Sequence, residues 1–237
     1  MPVKDIATKK VLVVGANRGI GLNLVEAFKK RSWEVTGSIR PQTKDDESVN
    51  DLRATGANVI EMDFLHEATI EEAAKKWDGY KLDLLVNVGG LPPNPKSWQE
   101  QTPEMFVEKF QVMAVGPYLT CKHFHKFLRR SDNPRIVNIT SAFGSVTDNT
   151  FGTCMAYRVA KAAANQVTVT FAREWEKEGT NVTIVCMEPG FVATRLTGYD
   201  AEDDMETCIA GMMNVIESLT PEDNGRFIKW DGSKLTF

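Results

Sequence analysis

The run Val11-Leu12-Val13-Val14 leads straight into Gly15-Ala16-Asn17-Arg18-Gly19-Ile20-Gly21, and this junction constrains the fold more than any other part of the 237-residue chain. The four aliphatic residues are apolar on both faces, as a central parallel strand buried on both sides must be. Beyond the glycines, Ile20, Leu24, Ala27 and Phe28 make an apolar stripe at helical spacing. Bare backbone between such a strand and helix lets N–H groups and the helix N-terminus approach a phosphate. The competing reading is a tight turn that holds no ligand.

The rest of the chain repeats the strand–helix alternation. Further strands are predicted over Glu34–Ile39, Asn58–Asp63, Leu82–Val86, Arg135–Thr140, Val182–Met187 and Arg226–Trp230. Among the predicted helices, one is capped by Thr69 with Glu72 and closed by Gly79. Another starts at Thr102-Pro103 and runs toward Arg130. A third spans Met155 to Glu178, and a last one carries Ile209, Met212, Met213 and Ile216. With no linker-like stretch, this is one α/β domain over residues 1–237, a doubly wound parallel sheet of about seven strands with helices on both faces.

Composition excludes several function classes. A net charge of −4, from 28 basic and 32 acidic residues without long runs, argues against a nucleic-acid surface or a polybasic membrane patch. No apolar run approaches the roughly 18 residues of a spanning helix, and the first residues carry no signal core. Cys121, Cys154, Cys186 and Cys208 are widely spaced, which reads as reduced structural thiols in a cytoplasmic protein. His123 and His125 sit at i, i+2 on a predicted helix and point apart, so no metal is expected.

The spacing Gly15-x-x-x-Gly19-x-Gly21 differs from the Gly-x-Gly-x-x-Gly turn of larger dinucleotide folds, but it bares backbone in the same way. The second strand ends in Ser38-Ile39-Arg40-Pro41, without the acid that reads a ribose 2′-hydroxyl. Arg40 and Arg18 instead suit a 2′-phosphate, so NADP(H) is the expected cofactor; two ordinary surface arginines are the alternative. Asp63 closes the third strand, either to meet an adenine amine or to cap the next turn. Asn87 with Gly89 and Gly90 follows the fourth strand, where the chain passes close to a cofactor.

Ser141 follows the fifth predicted strand at the carboxyl edge, where such sheets bind ligands. Tyr157 and Lys161 share a helix face four residues apart. Two hydroxyls there suit a substrate carbonyl. At an effective dielectric near 20 a cation about 4 Å away is worth roughly 4 kcal/mol, enough to bring a phenol with a pKa near 10 into working range.

In these motifs the chain resembles the short-chain dehydrogenases/reductases, a Rossmann-like family, over essentially its whole length. Gly144-Ser145-Val146-Thr147-Asp148-Asn149 and the Trp230-Asp231-Gly232 ending are similar to its C-factor and sniffer carbonyl reductase branch. The resemblance implies that Ser141 polarises a carbonyl, Tyr157 is the acid/base and Lys161 binds the nicotinamide ribose. It also implies that Pro189, Gly190, Val192 and Thr194, with Ile20 and Asn17 of the turn, contact the cofactor. Three departures stand out. Val14 precedes Gly15 where relatives have Thr, Asn87-Val88-Gly89-Gly90 replaces Asn-Asn-Ala-Gly, and Met113 occupies the place of the family's catalytic asparagine. An apolar contact of Val14 with Val88 is expected to replace a hydroxyl tether, and Met113 to slow proton relay.

Leu91, Trp98, Phe143, Met155, Phe191 and Tyr199 are expected to line an open, largely apolar pocket, each being equally a candidate for the core. The expected reaction is NADPH-dependent reduction of a medium or bulky ketone, aldehyde or imine. The alternatives are a dinucleotide-binding regulatory or signalling protein and an NAD-dependent oxidation at the same site. A homodimer is implied by resemblance, through Phe110, Phe124, Phe127, Val167, Phe171 and Trp175, which serve equally to pack on the sheet.

Overall fold

A computed structural model describes residues 8–237 and shows one parallel sheet of seven strands in the order β3-β2-β1-β4-β5-β6-β7. The strands are β1 (Lys10–Val14), β2 (Glu34–Ile39), β3 (Asn58–Glu61), β4 (Leu84–Asn87), β5 (Arg135–Ile139), β6 (Thr183–Glu188) and β7 (Phe227–Lys229). The helices are α1 (Gly19–Lys30), α2 (Ser48–Ala54), α3 (Glu67–Lys75), α4 (Pro103–Phe110), α5 (Gly116–Leu128), α6 (Met155–Lys177) and α7 (Met205–Ser218). The doubly wound fold is as expected.

Side chains alternate across the sheet as the strand period requires. Val11, Val13, Val86, Val137 and Val185 face α1 and α7, against Leu24, Phe28, Met212 and Ile216. Leu12, Leu85, Ile136 and Ile184 face the other way, against Ile70, Phe124, Phe127 and Trp175. The order reverses at β1, which pairs with β2 on one side and β4 on the other. A crevice opens at the carboxyl ends of strands at such a reversal.

Four details of the elements depart from expectation. The short helix α2 has no counterpart in the sequence reading. The third strand stops at Glu61, so Asp63 lies in the turn that follows. The helix expected to be capped by Thr69 begins at Glu67 and ends at Lys75, before Gly79. Thr69 Oγ1 instead accepts from the Asp63 N–H at 2.8 Å and donates to the His66 carbonyl at 2.7 Å. The long helix does start at Thr102, whose hydroxyl accepts from Met105 N. It is interrupted by one π-turn over Gln111–Val115, which divides α4 from α5.

Val14 and Val88 are joined through backbone, Val88 N donating to Val14 O at 3.0 Å. Their side chains lie on opposite faces of the sheet, because Val14 packs with Leu12 and Val88 with the valines facing α1. The expected apolar contact between them is absent. His123 lies 2.9 Å from Glu67, and His125 stacks on Trp175.

Candidate active site

α6 carries the reactive pair. It forms over 23 residues with no glycine or proline and with alanine at 156, 160, 162, 163 and 164. Gly179, at a φ of +69°, ends it. Tyr157 and Lys161 are both buried beneath the carboxyl edge of β5. Lys161 Nζ donates to Ile139 O, the last carbonyl of β5, at 3.1 Å, and lies 5.7 Å from the Tyr157 ring centre. Ser141 begins a single 3₁₀ turn, Ala142–Gly144, its Oγ accepting from Phe143 N at 3.2 Å. That turn lies flat on α6 because residue 144 is glycine. An added Cβ there would stand 2.8 Å from Asn165 Nδ2 and 3.0 Å from the Lys161 carbonyl carbon. Asn165 Nδ2 donates to Gly144 O at 3.2 Å and closes the contact. Ser141, Tyr157 and Lys161 are therefore brought together.

The electrostatics differ from the expected pattern. Burial pushes the Tyr157 phenol up to about 12; the Ser141 hydroxyl pulls against this, while Glu188 and Cys154 add to it. Burial brings the Lys161 ammonium down to about 8, with the Cys186 thiol opposing. Desolvation dominates at both groups, so the expected lowering of the phenol does not appear. Glu188, at the end of β6, accepts from Gly190 N at 3.0 Å, and burial raises its carboxyl above the usual range. Its nearness to Tyr157 was not foreseen; its place directly before Pro189-Gly190 was the available signal.

The glycine turn is bare by necessity. A Cβ on Gly21 would strike the Gly15 carbonyl, and Gly15 itself has a φ of +82°. Such a cradle fits a pyrophosphate. Asn17 Nδ2 donates to Ser48 Oγ at 2.7 Å, tying the turn to α2. Asp63 accepts from Leu65 N at 3.0 Å and from Gln42 Nε2 at 2.7 Å, so it caps its own turn beside the cleft. Asn87 is bonded at both ends of its amide, to Asn138 and to Thr120, each at 2.8 Å, and it offers the cleft only backbone. Gly89 is demanded first by packing, since a Cβ there would strike the Phe64 ring. Ile20 packs on the α1 side of the core, and Arg40 is exposed just after β2.

Pro189, Gly190 and Val192 follow β6, with Gly190 at a φ of +88° and Phe191 N donating to Asp203 at 2.7 Å. Thr194 touches Gly19, its methyl 3.3 Å from where a Cβ would stand. Of the expected pocket residues, Phe143 meets Tyr157 edge-on at 6.2 Å, and Leu91 packs on the core beside it. Trp98, Met155 and Phe191 are exposed. Tyr199 is exposed too, and the loop folds back there through Tyr199 N to Thr194 O at 2.8 Å.

Arg158, not singled out from sequence, braces the wall next to Tyr157. Its guanidinium lies 4.0 Å from the Phe143 ring centre and 4.7 Å from that of Phe151. Its Nε donates to the Gly152 and Thr153 carbonyls at 2.8 and 3.0 Å, holding a left-handed stretch at Gly152, Thr153 and Cys154. Met113 is fully buried in the π-turn among residues of the α5 side.

A short chain dehydrogenase family model matches residues 9–205. The chain is 30% identical over 236 residues to 1-hydroxy-2-glutathionyl-2-methyl-3-butene dehydrogenase of Rhodococcus sp. (strain AD45), covering 95% of this chain and 98% of that one. Its structure is similar to an NADPH-bound carbonyl reductase from chicken fatty liver at a TM-score of 0.88 and 26% identity, over 97% of this chain and 99% of that one. It shares the fold of the carbonyl reductase Sniffer of D. melanogaster at a TM-score of 0.88 and 24% identity, over 97% and 100% of the two chains. With a family model matched through the glycine turn, the Ser141 edge and the Tyr157 helix, and a relative matched nearly end to end, the chain belongs to the short-chain dehydrogenase/reductase family of oxidoreductases.

Proposed function

We propose that this protein is an NADPH-dependent reductase of a ketone, aldehyde or imine carried by a medium or bulky, largely apolar molecule. The observation that carries the reading is the meeting of Ser141, Tyr157 and Lys161 under the end of β5, with the phenol held in its protonated form. NADPH when bound supplies the hydride. Gly15, Gly19 and Gly21 offer bare backbone for its pyrophosphate, and Arg18 and Arg40 offer guanidinium forks for its 2′-phosphate. Ser141 holds the substrate oxygen by donating to it, and Tyr157 delivers the proton that oxygen needs. Lys161 fixes the depth of the site through Ile139 O and would hold the nicotinamide ribose. Phe143, braced by Arg158, gives the substrate an apolar wall beside the phenol.

A phenol near 12 is protonated at neutral pH, the form that reduction needs. Alcohol oxidation, which needs the phenolate, is expected to rise with pH as more of the phenol ionises. The four cysteines are buried and unpaired, in keeping with a reducing cytoplasm. Homodimerisation uses the α4–α6 surface at Phe110; Phe124, Phe127 and Trp175 belong to the chain's own core.

The deciding experiment is turnover of aryl ketones, quinones and cyclic imines with NADPH and with NADH. Faster reduction with NADPH, lost in Tyr157→Phe, supports the reading. A second reading, a dinucleotide-binding regulatory protein, is favoured by the buried Met113 where relatives carry an amide. Tight NADPH binding together with a biological output indifferent to Tyr157→Phe would select it.

A further inference from the structure

Three arginines gather at one edge of the cleft, and the third comes from an unexpected direction. Arg18 lies in the glycine turn, Arg40 follows β2, and Arg195 sits on the loop beyond Val192. That loop reaches over the crevice. Thr194 abuts Gly19 and Leu196 abuts Gly90, each 3.3 Å from where a glycine Cβ would stand. Residues 194–196 thus bridge the loops that leave β1 and β4, the two strands at the switch point, with Arg195 in the middle of the span. The loop is tightly made. Thr194 N donates to Thr197 Oγ1 at 3.0 Å, Thr197 Oγ1 donates to Val192 O at 3.1 Å, and Tyr199 N donates to Thr194 O.

Among the described residues no ion pair involves any of the three guanidiniums. They are close enough to repel. Burial, then Arg195, then Arg40 hold Arg18 below its ordinary value, with Asp46 and Tyr199 opposing. Asp46, the acid facing the group, is engaged first by Ser48, from both its hydroxyl and its N–H. Arg18 and Arg195 lie within reach of this acid, which is already bonded to Ser48, and the excess of positive charge suits a dianion.

We infer that Arg195 is the third arm of a clamp, with Arg18 and Arg40, for the 2′-phosphate of NADP(H), and that this grip holds the 194–199 loop down across the cleft. The inference rests on the NADPH reading above. It adds a residue from the opposite bank of the crevice and makes closure of the loop depend on the phosphate that distinguishes NADP(H) from NAD(H).

The test is fluorescence titration of the whole chain, as wild type, Arg195→Met and Arg195→Lys, with NADPH, NADH and adenosine 2′,5′-bisphosphate. Arg195→Met is expected to weaken NADPH and the bisphosphate by on the order of ten- to a hundredfold while NADH changes less than about twofold. Arg195→Lys falls between, because an ammonium lacks the planar fork. Tryptic cleavage after Arg195 in the wild type is expected to slow with NADPH and not with NADH. A wild type that prefers NADPH while Arg195→Met behaves identically overturns this inference alone, as does an equal loss for NADPH and NADH. A wild type that does not prefer NADPH overturns the cofactor reading itself.

Discussion

Lys161 and the arginines at the edge of the crevice carry the same charge under opposite conditions. The lysine is 4% exposed, tied to one carbonyl, and brought down to about 8 by burial. Arg40 and Arg195 are exposed, and among the described residues none of the three guanidiniums is in an ion pair. A group beside a proton transfer has to respond to a change of charge, so it sits in low dielectric, where its ionisation is adjustable. A group that recognises phosphate needs constant charge and a fixed fork, so arginine in contact with water serves. The same positive sign is used as a switch in one place and as an address in the other.

The comparison is broken most severely by Tyr157→Phe, which removes the proton donor and leaves the arginine edge intact. Turnover is expected to fall by about 10²–10⁴ with NADPH affinity unchanged, read by single-turnover kinetics and titration. A parallel loss of affinity would mean that the two regions are not separable.

Lys161→Met comes next. A lysine whose folded value lies below its unfolded one carries the full burial penalty below about pH 8, and loses it as pH rises through about 8 to 10.5. Removal of the ammonium is therefore expected to stabilise the cofactor-free protein at pH 7 by about 2 kcal/mol, after about 1 kcal/mol for the lost bond to Ile139 O. The gain should shrink above pH 8 in denaturant titrations. A gain independent of pH would refute the buried-cation account.

Salt then sharpens the other side. Between about 0.05 and 0.5 M ionic strength, NADPH affinity is expected to weaken several-fold more than NADH affinity, because exposed charges are screened. Equal weakening would show that the exposed charges do not read the extra phosphate. The smallest effect is assigned to Met113→Asn, which puts into the π-turn the amide that the family resemblance implies. Turnover is expected to rise by less than about tenfold, at some loss of stability as a buried amide is introduced. No rise would show that proton relay does not need that amide.

The parts legible in sequence share one physical property: their local pattern has a single packing solution. Val11–Val14 reads as a central strand because it is buried on both faces, and Tyr157 with Lys161 reads as a pair because helical spacing alone aligns them. Helix α2 escaped notice because it is seven residues long and buries only Val49 and Leu52, too little for a period to appear. Nothing local announces the fold-back at Tyr199, a non-glycine residue at a φ of +66°. The Val14–Val88 pairing failed for a different reason. Adjacent strands were inferred correctly, but the side-chain face depends on register, which only the sheet reveals. The expected lowering of Tyr157 by Lys161 weighs charge alone, whereas burial of the phenol is the largest effect on it.

The Phe64 ring occupies the space that a Cβ on Gly89 would need, and also the space that one on Gly116 would need. Three positions far apart in the chain are thereby coupled in their tolerance of change. Neither glycine can gain even a methyl group while the ring is present. Alanine at 64 would free position 89, which only ring atoms crowd, but its own Cβ would still stand 2.6 Å from one at 116. Variation at the β4 edge is therefore expected to follow change at position 64, whereas the start of α5 stays glycine. Single-site libraries at 89 and 116 would find almost nothing acceptable, and on Phe64→Ala only the library at 89 would open.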